Sequence, residues 1–332
     1  MAEKITIDRE LLEQWMHTVN HYMDLYSAHP FDGLEVGAVL EEATATRGKM
    51  LRPRLLLLAA AFGPEFESRK ERLCKLAAMV ELTHMASLIH DDIVDDAPSR
   101  RGKPSLQHRY GKNAAVYAGD YLMSRISYHV ATEDMNRPGA VMARTVEEMC
   151  AGEIGQSRCR YREDMTLPDY MRNIHGKTAA LFMAACRIGA EESGCGAEVI
   201  RRLEEFAECL GIMFQLKDDL MDFTSDARTM GKEAHKDFRE GIYTMPVLWV
   251  LQYPQGKEQL LPILKANAAG TLTDDQLSQM ERLVERLGGV QAARDEIRRL
   301  QKNAESLLRT HLPQVRPSAD LMAMVRKLGK DL

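Results

Sequence analysis

The chain has 332 residues, a formal net charge of −5 and 45% hydrophobic side chains. That length can bury a sizeable core, and the acidic balance argues against a general nucleic-acid binder while leaving room for a local basic pocket. No basic-then-apolar leader opens the sequence and no run of 18 apolar residues occurs, so a cytoplasmic protein with at most transient membrane contact is expected.

Helical periodicity runs from end to end without a convincing alternating strand. The expected fold is all-α: a single domain over residues 1–332, an orthogonal helical bundle of about ten to thirteen helices around a central cavity. In chain order, the predicted helices are broken at His29-Pro30, Gly63-Pro64, Ala97-Pro98 through Pro104, Arg137-Pro138-Gly139 and Leu312-Pro313 through Pro317. Pro138 and Pro246 read as first-turn prolines. Twenty methionines against 6% aromatic residues fit helices around an adaptable apolar cavity. The six cysteines are scattered, without a C-x-x-C pair, and read as buried free thiols.

Six stretches carry chemistry. Gly48-Lys49-Met50-Leu51-Arg52-Pro53 joins a chain break to two cations: Lys49 can act as a point charge on a phosphate and Arg52 can grip two oxygens. Next, Asp91-Asp92-Ile93-Val94-Asp95 ends an apolar helix on which His84 lies seven residues upstream, on the same face as Asp91. Lys177-Thr178 follows Gly176 in mid-helix. Asp218-Asp219-Leu220-Met221-Asp222 then ends a second apolar helix, one turn after Gln215. Residues four apart share a face, so Asp91 pairs with Asp95 and Asp218 with Asp222. One such motif reads equally well as a solvated helix face; two, each fused to an apolar run, point to Mg²⁺ and a polyphosphate held by hard oxygen ligands. Finally, a basic stretch follows each motif: 97–111 with Arg100, Arg101 and Lys103, and 224–241 with Lys232, His235, Lys236, Asp237 and Arg239.

In this order the motifs resemble those of the trans-type (E-type) polyprenyl diphosphate synthases, from about Arg47 to Val250: GKxxRP at 48–53, ELxHxxSLxHDDxxD through RRG at 81–102, KT at 177–178, FQxxDDxxD at 214–222, and GK at 231–232 with Asp237. The resemblance implies the isoprenoid synthase fold and condensation of isopentenyl diphosphate with an allylic diphosphate such as farnesyl diphosphate. It implies that Asp91, Asp92, Asp95, Asp218, Asp219 and Asp222 hold about three Mg²⁺ per active site. It further implies that Arg100, Lys177 and Lys232 add charge to the allylic diphosphate, that Thr178 and Gln215 line its reacting end, and that Lys49, Arg52, His84 and Arg101 hold isopentenyl diphosphate. The family's usual Lys before Thr-x-Pro is absent from Gly241-Ile242-Tyr243-Thr244-Met245-Pro246.

The helix bearing the first motif is expected to wall a product tunnel, at about 5.4 Å per turn or roughly one isoprene unit. Ala86 and Ser87 are small, and Thr83, Val80, Met79 and Leu76 further down are not aromatic. That favours a product of six to eight units, C30–C40. The segments 95–104 and 117–122 are most similar to the large subunit of bacterial heptaprenyl or hexaprenyl synthases, which make quinone side chains; some of these require a small non-catalytic subunit. A homodimer or such a heterodimer is expected. Shorter-chain geranylgeranyl or farnesyl synthesis is the alternative product reading. A terpene cyclase would leave Lys49, Arg52, His84 and Arg101 without purpose, and a non-catalytic partner subunit would have lost motif residues that this chain keeps.

Overall fold

The computed structural model describes residues 9–45, 47–224 and 235–330. The architecture is all-α, as expected, apart from one minimal hairpin. Helices α1 (Arg9–Ser27), α2 (Glu35–Ala45), α3 (Leu51–Ala60) and α4 (Lys70–Val94) are followed by two antiparallel two-residue strands, β1 (Ser99–Arg100) and β2 (Lys103–Pro104). Then come α5 (Leu106–Tyr110), α6 (Lys112–Thr132), α7 (Asn136–Arg158) and α8 (Leu167–Ile174), which runs through a π-turn (His175–Ala179) into α9 (Ala180–Glu192). The chain continues with α10 (Ala197–Thr224), the short α11 (Lys236–Arg239) and α12 (Met245–Leu251). It closes with α13 (Pro254–Ala268), α14 (Asp274–Arg286), α15 (Gly289–Ser306) and α16 (Arg316–Leu328). Pro138 and Pro246 do fall in first turns. No described helix is long and apolar enough to cross a membrane.

The helices group into two compact units. The first comprises residues 1–144, 184–204 and 313–320, and α4 is its axis, packed against α1, α3 and α6. Its 25 residues are apolar on most faces, from Leu73 and Cys74 through Ala86 and Ile89, which is the pattern of a helix that is buried nearly all round. Trp15 stacks on Phe66 at 4.3 Å between ring centroids, both rings buried in this core.

The second unit comprises residues 145–183, 205–312 and 321–332. Here α12 packs on α15, and amphipathic α14 buries Leu277, Met280, Leu283 and Val284. The helix starts are sealed locally: Thr166 and Thr273 each form a reciprocal capping box with the residue three positions on. Of the cysteines, Cys74 and Cys186 are buried free thiols as expected, but Cys150 is exposed, because it falls on the outer side of α7.

Candidate active site

In the first unit, α4 brings Asp92 to a small cavity of about 90 Å³, lined also by Glu81, His84 and Leu88 of α4 and by Arg100 and Arg101 of the hairpin. These α4 positions recur every three or four residues, so they form one stripe. The hairpin turn is Arg101-Gly102, with φ of 52° and 77°, the mirror-image turn whose twist suits two short strands. This turn sends the two arginines to different places. Arg100 clamps the buried Asp92, its Nε lying 2.7 and 2.8 Å from the two carboxylate oxygens. Arg101 lays its guanidinium on Gly48, where a Cβ would sit 2.4 Å from Nη2. Glycine there is what admits the arginine.

Met50, in the left-handed region, turns the chain into α3 and places Arg52 in the first turn. Arg52 is so enclosed that burial pushes its pKa down to about 10, against the pull of Glu81. Burial raises Glu81, while Arg52, Arg101 and Arg47 draw it back; one of its buried oxygens has no hydrogen-bond partner. Burial, then Arg52, Arg101 and Arg100, push His84 down to about 2. His84 is therefore a neutral imidazole amid guanidinium groups. Lys49 is exposed at the same chain break.

In the second unit, α10 carries the other motif. Asp218 is exposed and Asp222 half-buried, and Asp222 accepts the Asp237 N–H at 3.2 Å. Asp219 is buried, accepting from Gln215 Nε2 at 2.7 Å and from the Tyr170 hydroxyl. Gln215 in turn accepts from Thr178 Oγ1 at 2.7 Å. Burial lifts Asp219 to about 6 and Asp237 to about 8, with neighbouring carboxylates adding to both. Lys177 and Thr178 sit in the π-turn, a widening common at functional positions, and Lys177 Nζ pairs with Glu153 of α7 at 2.9 Å. The turn can approach α7 because Gly152 faces it: a Cβ there would lie 2.5 Å from the Lys177 nitrogen.

Residues 35–283 match the polyprenyl synthetase family. This chain belongs to that family. Component 2 of heptaprenyl diphosphate synthase from Geobacillus stearothermophilus is 42% identical over 61% of this chain and 63% of its own length. Component 2 from Bacillus subtilis is 34% identical over 85% of this chain and 79% of its own. The chain thus spans under two thirds of the first relative and about four fifths of the second. A Caulobacter crescentus polyprenyl synthase, solved with calcium and isoprenyl diphosphate, superposes with a TM-score of 0.85 at 28% identity, over 97% of each chain. Prenyl transfer is accordingly the activity class of this polyprenyl synthetase.

Within its own unit, each set of expected residues lies near its motif: Arg52, His84, Arg100 and Arg101 with Asp92, and Lys177, Thr178 and Gln215 with Asp219. Lys232 lies outside the described residues. Among the described residues, neither motif draws three ligand atoms within 4.8 Å of one another; the group that does is His29, Asp32 and Glu41. The spread has a local cause: the middle aspartates, Asp92 and Asp219, are turned into the protein and held there by side chains. Where the family's Lys is missing, Tyr243 is buried against Phe238 and the Ile242 N–H donates to the Asp237 carbonyl at 2.8 Å. That segment serves packing. Sequence reasoning missed Glu81 as a charged pocket residue, although its place three positions before His84 put it on the same stripe; it also missed Tyr170, which nothing in the local pattern marked.

The depressed His84 has a testable consequence. The unfolded chain takes up a proton near pH 6.5 that folded His84 refuses, so its contribution to stability is whole above that pH and is lost as pH falls below it. His84→Gln is expected to flatten the fall in melting temperature between pH 7 and 5. An unchanged slope would mean that folded His84 takes up the proton.

Proposed function

We propose that this polyprenyl synthetase condenses isopentenyl diphosphate with an allylic diphosphate such as farnesyl diphosphate, giving a C30–C40 all-trans polyprenyl diphosphate, heptaprenyl favoured, for quinone side chains. We read residues 1–332 as one catalytic domain, since α7, α9 and α10 each run through both units. The observation that carries the reading is the cavity at the end of α4, where Asp92 of the aspartate motif, a neutral histidine and the guanidinium groups of Arg100 and Arg101 meet, with Arg52 close enough to act on that histidine.

The donor set fits Mg²⁺. Asp91 and Asp95, and Asp218 and Asp222, stand one helical turn apart, and the raised pKa values of Asp219 and Asp237 reflect carboxylates gathered under poor hydration. Bound Mg²⁺, about three per site, supplies charge that stabilises the departing pyrophosphate. The chain's own groups do the rest. Arg100, Lys177 and Lys232 add charge to the allylic diphosphate, and Thr178 and Gln215 line its reacting end. Lys49, Arg52, His84 and Arg101 bind the diphosphate of isopentenyl diphosphate, neutral His84 donating a hydrogen bond without further charge repulsion. The allylic C–O bond breaks, the isopentenyl double bond attacks the freed carbon, and the proton lost from the adjacent carbon goes to the departing pyrophosphate. Apolar helices exclude water from the cation.

Two of the named relatives are each component 2 of a heptaprenyl diphosphate synthase, which supports a heterodimer with a small subunit. The test is a radiolabelled isopentenyl diphosphate assay with farnesyl diphosphate and Mg²⁺, run with this chain alone and with a small subunit of a component-2 relative. C30–C40 products in either arm are expected; C15–C20 products alone would favour the shorter-chain alternative, and no incorporation with any primer would overturn the reading.

Product length is assigned to α4. Ser87 is half-buried, its hydroxyl turned to the His84 carbonyl at 2.8 Å, while Ala86, Thr83, Val80 and Met79 are buried. Ser87→Phe is expected to shorten the product by at least one isoprene unit. An unchanged product ladder would remove position 87 from the tunnel wall.

A further inference from the structure

Tyr170 is the largest polar side chain turned toward either motif that the proposed chemistry leaves without a task. It lies on α8, is 4% exposed, and donates its hydroxyl hydrogen to Asp219. The backbone of Met245, at the start of α12, hydrogen-bonds the same hydroxyl. Asp219 accepts from Tyr170 through Oδ2 and from Gln215 through Oδ1, and Gln215 spends its own carbonyl oxygen on Thr178. The result is one relay, Thr178 to Gln215 to Asp219 to Tyr170, joining the π-turn, α10 and α8.

We propose that Tyr170 is a positioning residue for prenyl transfer, which fixes the Asp219 carboxylate and, through Gln215, the Thr178 hydroxyl at the reacting end of the allylic diphosphate. The inference rests on the functional reading above. A buried carboxylate needs its lone pairs satisfied, and here neutral donors satisfy it, so no positive charge is spent on the task. Orientation is the second gain. The amide of Gln215 can face either way, and with its N–H₂ committed to Asp219 its oxygen must face Thr178. A carboxylate free to rotate would release that constraint. The cap that starts α8, Thr166 with Asp169, sets the helix from which the phenol reaches in.

Tyr170→Phe keeps the ring and removes only the hydroxyl. It is expected to lower kcat about 10- to 100-fold, the size of one lost hydrogen bond to a charged group, with KM for isopentenyl diphosphate unchanged. Thr178→Val alone is expected to lower kcat as well, and the double variant to be no worse than the poorer single, because both act along one relay. Calorimetric affinity for a non-reactive allylic thiolodiphosphate in Mg²⁺ gives a second readout, expected to weaken in Tyr170→Phe. Wild-type kcat and analogue affinity in Tyr170→Phe would overturn the inference, as would losses that multiply in the double variant or that track a lowered melting temperature alone. A wild-type chain without turnover or analogue binding would instead overturn the functional reading, and this one with it.

Discussion

Asp91→Ala is expected to cut turnover by about a hundred- to a thousandfold, the scale of losing one preorganised electrostatic contact to a developing charge, while leaving the fold as stable as before. The stability half of this expectation comes from helix physics. Asp91 stands in the last turn of α4, and that turn has no basic residue. The negative end of a helix dipole disfavours an acidic side chain by about 0.3–1 kcal/mol, while Asp92 beside it is already paired with Arg100. The same arrangement recurs at the end of α10, where Asp222 lies in a last turn that also has no basic residue. Two helices thus each end on acids that their own dipoles oppose, which is intelligible if the carboxylates serve a cation. Melting of the metal-free variant is expected to match or slightly exceed wild type. An Asp91→Ala chain that turns over normally would remove Asp91 from the metal-binding set.

What the sequence displayed and what it hid divide along physical lines. The long helices were legible because apolar residues recur at their period, and the pairing of Asp91 with Asp95 followed from spacing alone. Spacing does not say where the intervening residue points. Asp92 turns inward because Arg100 meets it, and Arg100 is there because of a turn at Arg101-Gly102. A hairpin with two residues per strand has no alternation to detect, so it reads as loop. Lys177-Thr178 was correctly expected in mid-helix, but the π-turn that presents it depends on how closely Gly152 lets α7 approach, a tertiary matter. Tyr170 was invisible for a similar reason: its partner is 49 positions away. Family motifs named the residues, and their placement within each unit shows which ones face a cavity and which brace another side chain.

Arg100→Ala is expected to damage stability and turnover together, and the two effects are separable. Asp92 is 5% exposed, and Arg100 satisfies it through Nε and through Nη2 at 2.7 Å. Removing one partner of a buried pair strands the other, at about 3–5 kcal/mol in full burial. The Arg100 side chain is itself 37% exposed, so water can reach part of the vacated space, and the expected cost falls to about 1–3 kcal/mol. Adding Asp92→Ala removes the stranded carboxylate, so the double variant is expected to recover most of the lost stability. Turnover should not recover, since both the charge assigned to the allylic diphosphate and a carboxylate of the metal-binding set are gone. Urea unfolding of both single variants and the double gives the coupling energy, and initial rates on the same four proteins give the catalytic loss. Additive unfolding energies would mean that the Arg100–Asp92 pair does not couple, whereas a double variant with restored turnover would remove Arg100 from the allylic diphosphate and Asp92 from the metal-binding set together.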